Sequence, residues 1–119
     1  MKIILAFCLF TAVAALELSP EEKECQKQVD ASEEDVEMFR SLQQPEEHTT
    51  KCYYDCMLQR INYSDGKRFN REGFVHTMTQ VAKNEQQRKA IQHLAEQCDG
   101  TENDDPCELA ADIVACLFR

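Results

Sequence analysis

Seven cysteines carry most of the chemistry open to this sequence. Cys8 sits in an apolar N-terminal stretch; the other six, Cys25, Cys52, Cys56, Cys98, Cys107 and Cys116, leave intervals of 26, 3, 41, 8 and 8 residues. A thiol can attack as a nucleophile, ligate a metal or be oxidised to a disulfide, and the compartment decides between these. Here the first fifteen residues, MKIILAFCLFTAVAA, name the compartment: Lys2 gives a basic start, Ile3 to Ala15 an apolar run, and small residues close it. This is the pattern of a secretory leader cut after Ala14 or Ala15. The run falls short of the roughly 18 apolar residues of a membrane span, and no later segment approaches that length, so membrane insertion is not expected. Cys8 leaves with the leader, and an even six enter an oxidising space where cysteines pair. The sequence therefore predicts a secreted, extracellular protein: a leader over 1–15 and one domain over 16–119.

Other reactive arrangements are missing. With the six cysteines paired, no thiolate remains to attack, and neither a Ser-His-acid set nor two histidines at metal-ligand spacing can be found. A secreted phospholipase needs a glycine-rich calcium loop, and only three glycines exist. No enzyme activity, metal or cofactor is expected. His76 lies two residues from Phe74 and His93 two from Ile91, about 200° around a helix, which points both to water; His48 reads as a loop residue. Titrating such groups should move ligand affinity little.

Loss of Lys2 with the leader takes the formal net charge from −9 to −10, spread as −8 over residues 17–47, +3 over 48–98 and −5 over 99–119. Binding to phosphate backbones or anionic lipid rests on dense Lys and Arg, so nucleic acid is excluded as a partner. Roughly 37% of the 104 remaining residues are apolar, too few for burial alone to make a secure core. Disulfides supply what is missing, each contributing about 2–4 kcal/mol.

The elements that must position these cysteines read as helices. Ser19-Pro20-Glu21-Glu22 joins a cap, a first-turn proline and a capping-box glutamate, opening a helix to about Ala31. Ser32-Glu33-Glu34-Asp35 repeats the signal, with Val36, Phe39 and Leu42 as a short apolar stripe ending before Pro45. Thr49 or Thr50 is expected to cap a third helix over Lys51 to Ile61, with Cys52 and Cys56 one turn apart. Asn62 to Lys67 breaks the pattern at Asp65-Gly66. Asn70 caps a fourth helix whose stripe is Phe74, Val75, Met78, Val81 and Ala82, and a fifth runs from about Asn84 to Cys98. After a loop at Asp99 to Asp105, Asp105-Pro106 opens a last helix with Leu109, Ala110, Ile113, Val114, Leu117 and Phe118. Apolar residues on more than one of its faces predict a central position. The fold class is all-α, a single domain of about six short helices.

Six cysteines allow fifteen pairings. Cys107 and Cys116 are nine residues apart on one helix, roughly 13 Å, beyond the reach of a disulfide. Cys52 and Cys56 on successive turns aim their Cβ atoms poorly for one. Ten pairings survive those two exclusions.

The order and spacing of the cysteines, with KCYYDC carrying the second and third and DPCELAADIVAC the fifth and sixth, resemble the insect odorant-binding protein family, which includes pheromone-binding and haemolymph carrier proteins. The resemblance covers Ser19 to Phe118. It implies the interlocked bridges Cys25–Cys56, Cys52–Cys107 and Cys98–Cys116, one of the ten surviving pairings. It further implies an internal apolar cavity holding a small hydrophobic molecule such as an odorant, pheromone or fatty acid, with an olfactory receptor as a further partner and a monomer or weak homodimer as the assembly. Phe39, Tyr54, Met57, Leu58, Phe74, Met78, Ile91, Leu94, Val114 and Phe118 are the residues expected to line it, although an apolar stripe at helical spacing equally suits plain core. Met57 and Met78 adapt best to varied shapes, and a hydroxyl of Tyr53 or Tyr54 can orient an alcohol, aldehyde or ester. Longer relatives carry a C-terminal tail; this sequence closes at Leu117-Phe118-Arg119, so a mouth without tail-driven release is expected. Asn62-Tyr63-Ser64 is an N-glycosylation sequon on a turn. Two other readings stay open: a scavenger of mediators such as biogenic amines, which needs a carboxylate inside the pocket, and a cargo-free interaction protein.

Overall fold

Every helix but one begins where a side chain takes up the unpaired N–H groups of its first turn. The computed structural model describes residues 18–118, so the expected leader and Cys8 lie outside the described residues. It contains six helices: α1 (Pro20–Val29), α2 (Glu33–Arg40), α3 (His48–Arg60), α4 (Arg71–Thr79), α5 (Glu85–Cys98) and α6 (Pro106–Leu117). Ser19 with Glu22 and Ser32 with Asp35 close full capping boxes, satisfying two backbone donors each. Asn70 accepts from Gly73 N–H at 3.1 Å, Asn84 from Gln87 N–H at 2.8 Å, and Asp105 from Cys107 N–H at 2.9 Å. Asp30 ends α1 in the left-handed region at φ 58°, a conformation that a short polar side chain tolerates.

Two boundaries differ from the sequence reading. The third helix starts at His48, earlier than a threonine cap would place it, and Glu47 at its N-cap makes no side-chain bond. His48 is thus helical, not in a loop. Thr50 turns inward instead, its hydroxyl donating to the Asp35 carboxylate at 2.6 Å, because leaving the second oxygen of a buried carboxylate unpaired costs more than an uncapped, water-accessible helix end. The fourth helix stops at Thr79, before Val81 and Ala82. The Thr79 hydroxyl donates to Val75 C=O at 2.7 Å, a local bond that competes with helix propagation, and Val81 is left 68% exposed.

Packing is organised around α3 and α6, whose contact is the most extensive between any two helices. On α6, Leu109, Ala110, Ala111, Ile113, Val114 and Leu117 are all buried, as its wide apolar surface requires. α1 and α2 pack onto α3; α4 packs onto α5, and α5 onto α6. The α4–α5 hairpin is clamped at its root: Phe69 N–H donates to Thr101 C=O at 2.8 Å, Asn70 N–H to Tyr63 C=O at 2.9 Å, and isolated bridges pair Ser64 with Phe69 and Arg68 with Glu102. Gly73 permits this approach, since a Cβ there would fall 2.0 Å from the Asn62 carbonyl oxygen. Among the described residues no strand forms beyond those bridges.

Candidate functional site

Three disulfides tie four helices into one frame. Cys25–Cys56 links α1 to α3, Cys52–Cys107 links α3 to α6, and Cys98–Cys116 joins the end of α5 to the end of α6. This is the interlocked pairing that the family resemblance implies. α2 is attached without sulfur: Arg40 donates from Nε and Nη2 to both oxygens of Glu22 at 2.9 and 2.8 Å, and Phe39 sits edge-on to Tyr53 and Tyr54 at 6.0 and 5.0 Å.

Inside the frame is one continuous apolar cluster. Of the ten residues expected to line a cavity, Tyr54, Met57, Leu58, Phe74, Ile91 and Val114 are buried in it, and Phe39, Met78 and Leu94 are partly buried against it. Phe118 stands apart, at the C-cap of α6 and 46% exposed. The helix has run out there, and the side chain is no longer carried on its inner face. Sequence reasoning missed Phe69, which is 2% exposed and lies 5.5 Å from the Phe74 ring, and Tyr63, edge-on to Phe74 at 4.9 Å. Both fall in the irregular segment between α3 and α4, where no periodicity operates; an aromatic residue in an otherwise polar turn was the available signal.

The two neighbouring tyrosines differ in a way that matters for polar recognition. Tyr54 donates its hydroxyl to the Gln43 carbonyl at 2.7 Å. Tyr53 is fully buried, and among the described residues its hydroxyl has no hydrogen-bond partner. Burial pushes both phenols up to about 12, helped at Tyr53 by the Glu22 charge and opposed by Arg40, so each is a neutral donor at physiological pH. The buried acids are consumed internally. Glu22 is held below the usual carboxylate range by its bonds from Arg40 and Ser19. At Asp35 burial works upward but is outweighed by bonds from Thr50 and from the backbone and side chain of Ser32, so its carboxyl also ends low.

Two surface grooves are bordered mostly by charged and polar residues. One of about 340 Å³ is bordered by Glu34, Asp35, Met38, Gln43, Gln44, Glu46, Glu47 and Thr50, and one of about 420 Å³ by Lys23, Glu24, Gln26, Lys27, Asp30 and Ala31. Neither is lined by any of the ten expected residues. His48, Cys52 and Cys107 bring possible metal-ligand atoms within 4.8 Å of one another, but both sulfurs are spent in a disulfide, and a disulfide sulfur is not the thiolate that a metal requires.

The family model for the PBP/GOBP family matches residues 10–119. The chain belongs to that family. A curated relative, general odorant-binding protein 19d of Drosophila melanogaster, is 26% identical over 99 residues, covering 81% of this chain. The match takes in 66% of that relative's own length, just under two thirds. Among solved structures, odorant-binding protein dmelOBP28a of Drosophila melanogaster superposes with a TM-score of 0.70 at 20% identity, covering 82% of this chain and 83% of that one; at this identity the likeness speaks for the fold.

Proposed function

We propose that this PBP/GOBP chain is a secreted carrier that reversibly binds a small hydrophobic molecule, an odorant, pheromone or fatty-acid-like lipid, in an aqueous extracellular fluid. The observation that carries the reading is how the helices share contacts. α1 and α2 lean on α3, the α4–α5 hairpin reaches the rest mainly through α6, and among the described helices neither α4 nor α5 packs broadly on α1, α2 or α3. Among the apolar side chains left partly open against the core are Phe39 on α2, Met78 on α4 and Leu94 on α5, which come from both sides of that division. Emptying space in a core built by truncation costs about 24 cal/mol per Å³, so a marginal domain with a hollow interior needs a guest or a covalent frame; three disulfides are such a frame. They support secretion too, together with the leader read from residues 1–15. Within the pocket, Tyr53 supplies the polar contact, because Tyr54 already spends its hydroxyl on Gln43.

An amine scavenger fits less well. Its recognition needs a free carboxylate facing the interior, while the buried acids Glu22 and Asp35 are engaged with Arg40, Thr50 and Ser32.

Displacement of an apolar fluorescent naphthylamine from the oxidised protein tests the reading. Long-chain alcohols and fatty acids are expected to compete at micromolar levels. Competition by amines alone would transfer the function to scavenging, and failure of the probe and of every competitor to bind would leave a cargo-free interaction protein.

A further inference from the structure

The three disulfides are unequally placed. Cys25 and Cys98 are both 0% exposed, so two of the bridges have one sulfur sealed in the core, whereas Cys52 and Cys107 are both partly accessible. One turn before Cys52 on α3, the exposed His48 brings Nε2 to 3.4 Å from the Cys52 sulfur. Cys107 is the second residue of the twelve-residue α6. The amides at the start of α6 are taken by the Asp105 carboxylate, but a thiolate released there lies within 4.8 Å of a His48 ring nitrogen, and a protonated imidazole at that range stabilises it.

We propose that Cys52–Cys107 is a site of thiol exchange and S-thiolation, opened by a small-molecule thiol of the glutathione class with His48 as the proton acceptor. The incoming thiol passes its proton to His48 and its sulfur attacks the Cys52 sulfur. A mixed disulfide forms on Cys52, the bond to Cys107 breaks, and Cys107 departs with the electron pair as a thiolate at the α6 N-terminus. A second thiol attacks the non-protein sulfur of the mixed disulfide, giving the oxidised small molecule and a free Cys52 thiol; the two small thiols are the reductant, and the protein disulfide is reduced by two electrons. Neighbouring charges leave this route open. Glu108 is paired with Lys51 at 3.1 Å, and the Asp105 carboxylate accepts from the Cys107 and Glu108 amides. Asp55 is raised by burial and by the charge of Asp105, against a bond from Gln59, and Glu47 and Asp104 are exposed to water. Opening the bridge removes the disulfide between α3 and α6 and leaves that pair held by its side-chain packing. The inference stands on the geometry of the bridge alone and does not depend on any cargo.

The test is timed incubation of the oxidised protein with reduced glutathione, alkylation, and peptide mapping by mass spectrometry. Cys52 and Cys107 are expected to open first, with glutathione on Cys52 and Cys107 alkylated. His48→Ala and His48→Gln should each slow that opening by about tenfold, with helical circular dichroism unchanged. Opening of either other bridge at an equal or faster rate, glutathione found on Cys107 and not on Cys52, or histidine variants as fast as the parent would overturn the proposal.

Discussion

Thr50 on α3 donates its hydroxyl to Asp35 on α2 at 2.6 Å, a buried bond that fixes where two helices of different origin meet. The same carboxylate closes the α2 capping box through the Ser32 N–H at 2.9 Å, so one acid serves both the start of a helix and its docking. The substitution Thr50→Val keeps the shape and removes the donor, leaving the carboxylate short of a partner. The expected loss is about 1–3 kcal/mol in urea unfolding. A Thr50→Val variant as stable as the parent would show that the bond contributes nothing.

Acid should find the same place. Asp35 and Glu22 both have folded-state pKa values below their ordinary ones, 3.8 and 4.5. For a depressed acid the stabilisation is fully present above the unfolded pKa and disappears as pH falls through the folded one. Urea midpoints should therefore be flat from neutral pH to about 5 and drop below about 4. Glu22→Gln should flatten that drop; a variant with the parent's full acid slope would remove Glu22 from the cause.

The two tyrosines make opposite predictions. Tyr54→Phe strands the Gln43 carbonyl and should cost about 1 kcal/mol. Tyr53→Phe removes a buried hydroxyl without a partner, so stability should stay level or rise slightly in thermal melts. In the probe-displacement assay, Tyr53→Phe should weaken alcohols and fatty acids while leaving hydrocarbons of equal length unchanged. A large loss of stability in Tyr53→Phe would mean that the hydroxyl already has a partner.

Gly73 and Gly100 separate crowding from backbone strain. A Cβ at Gly73 would meet the Asn62 carbonyl oxygen at 2.0 Å, whereas at Gly100 it would touch nothing within 4 Å but would sit at φ +93°. Gly73→Ala should displace the root of the α4–α5 hairpin and cost about 2–3 kcal/mol. Gly100→Ala should cost about 1 kcal/mol. Chemical denaturation of both variants checks the order, and the reverse order would contradict the packing described at Asn62.

Most of the helical framework was legible because capping chemistry is local. Ser19, Ser32, Asn70, Asn84 and Asp105 each announce a helix start in the sequence, and each caps one in the structure. Thr50 misled because its best partner, Asp35, lies fifteen residues away, and a tertiary bond of that kind leaves no periodic trace. Val81 misled for a related reason: the stripe continues in the sequence after the Thr79 hydroxyl has already turned back on Val75. The candidate site was legible as a set of inward faces, but not which tyrosine hydroxyl was committed, since that depended on Gln43 coming within reach of Tyr54. Phe69 and Tyr63 were hidden by lying in a turn, where burial follows from the hairpin root and not from helical spacing. Disulfide pairing was narrowed by distance along single helices and needed the resemblance for the rest.

The clamped root of the α4–α5 hairpin sets a mechanical scale. Phe69 to Thr101, Arg71 to Asp99 and Cys98 to Cys116 hold its base, while the turn carrying Val81 is its far end. Nine residues of α4 make an arm of about 13 Å, so a tilt of about 10° about the base sweeps the tip through about 2 Å. Such a tilt would change the clearance at the tip by less than the width of an alkyl chain, with the covalent and hydrogen-bonded fastenings at the fulcrum left in place.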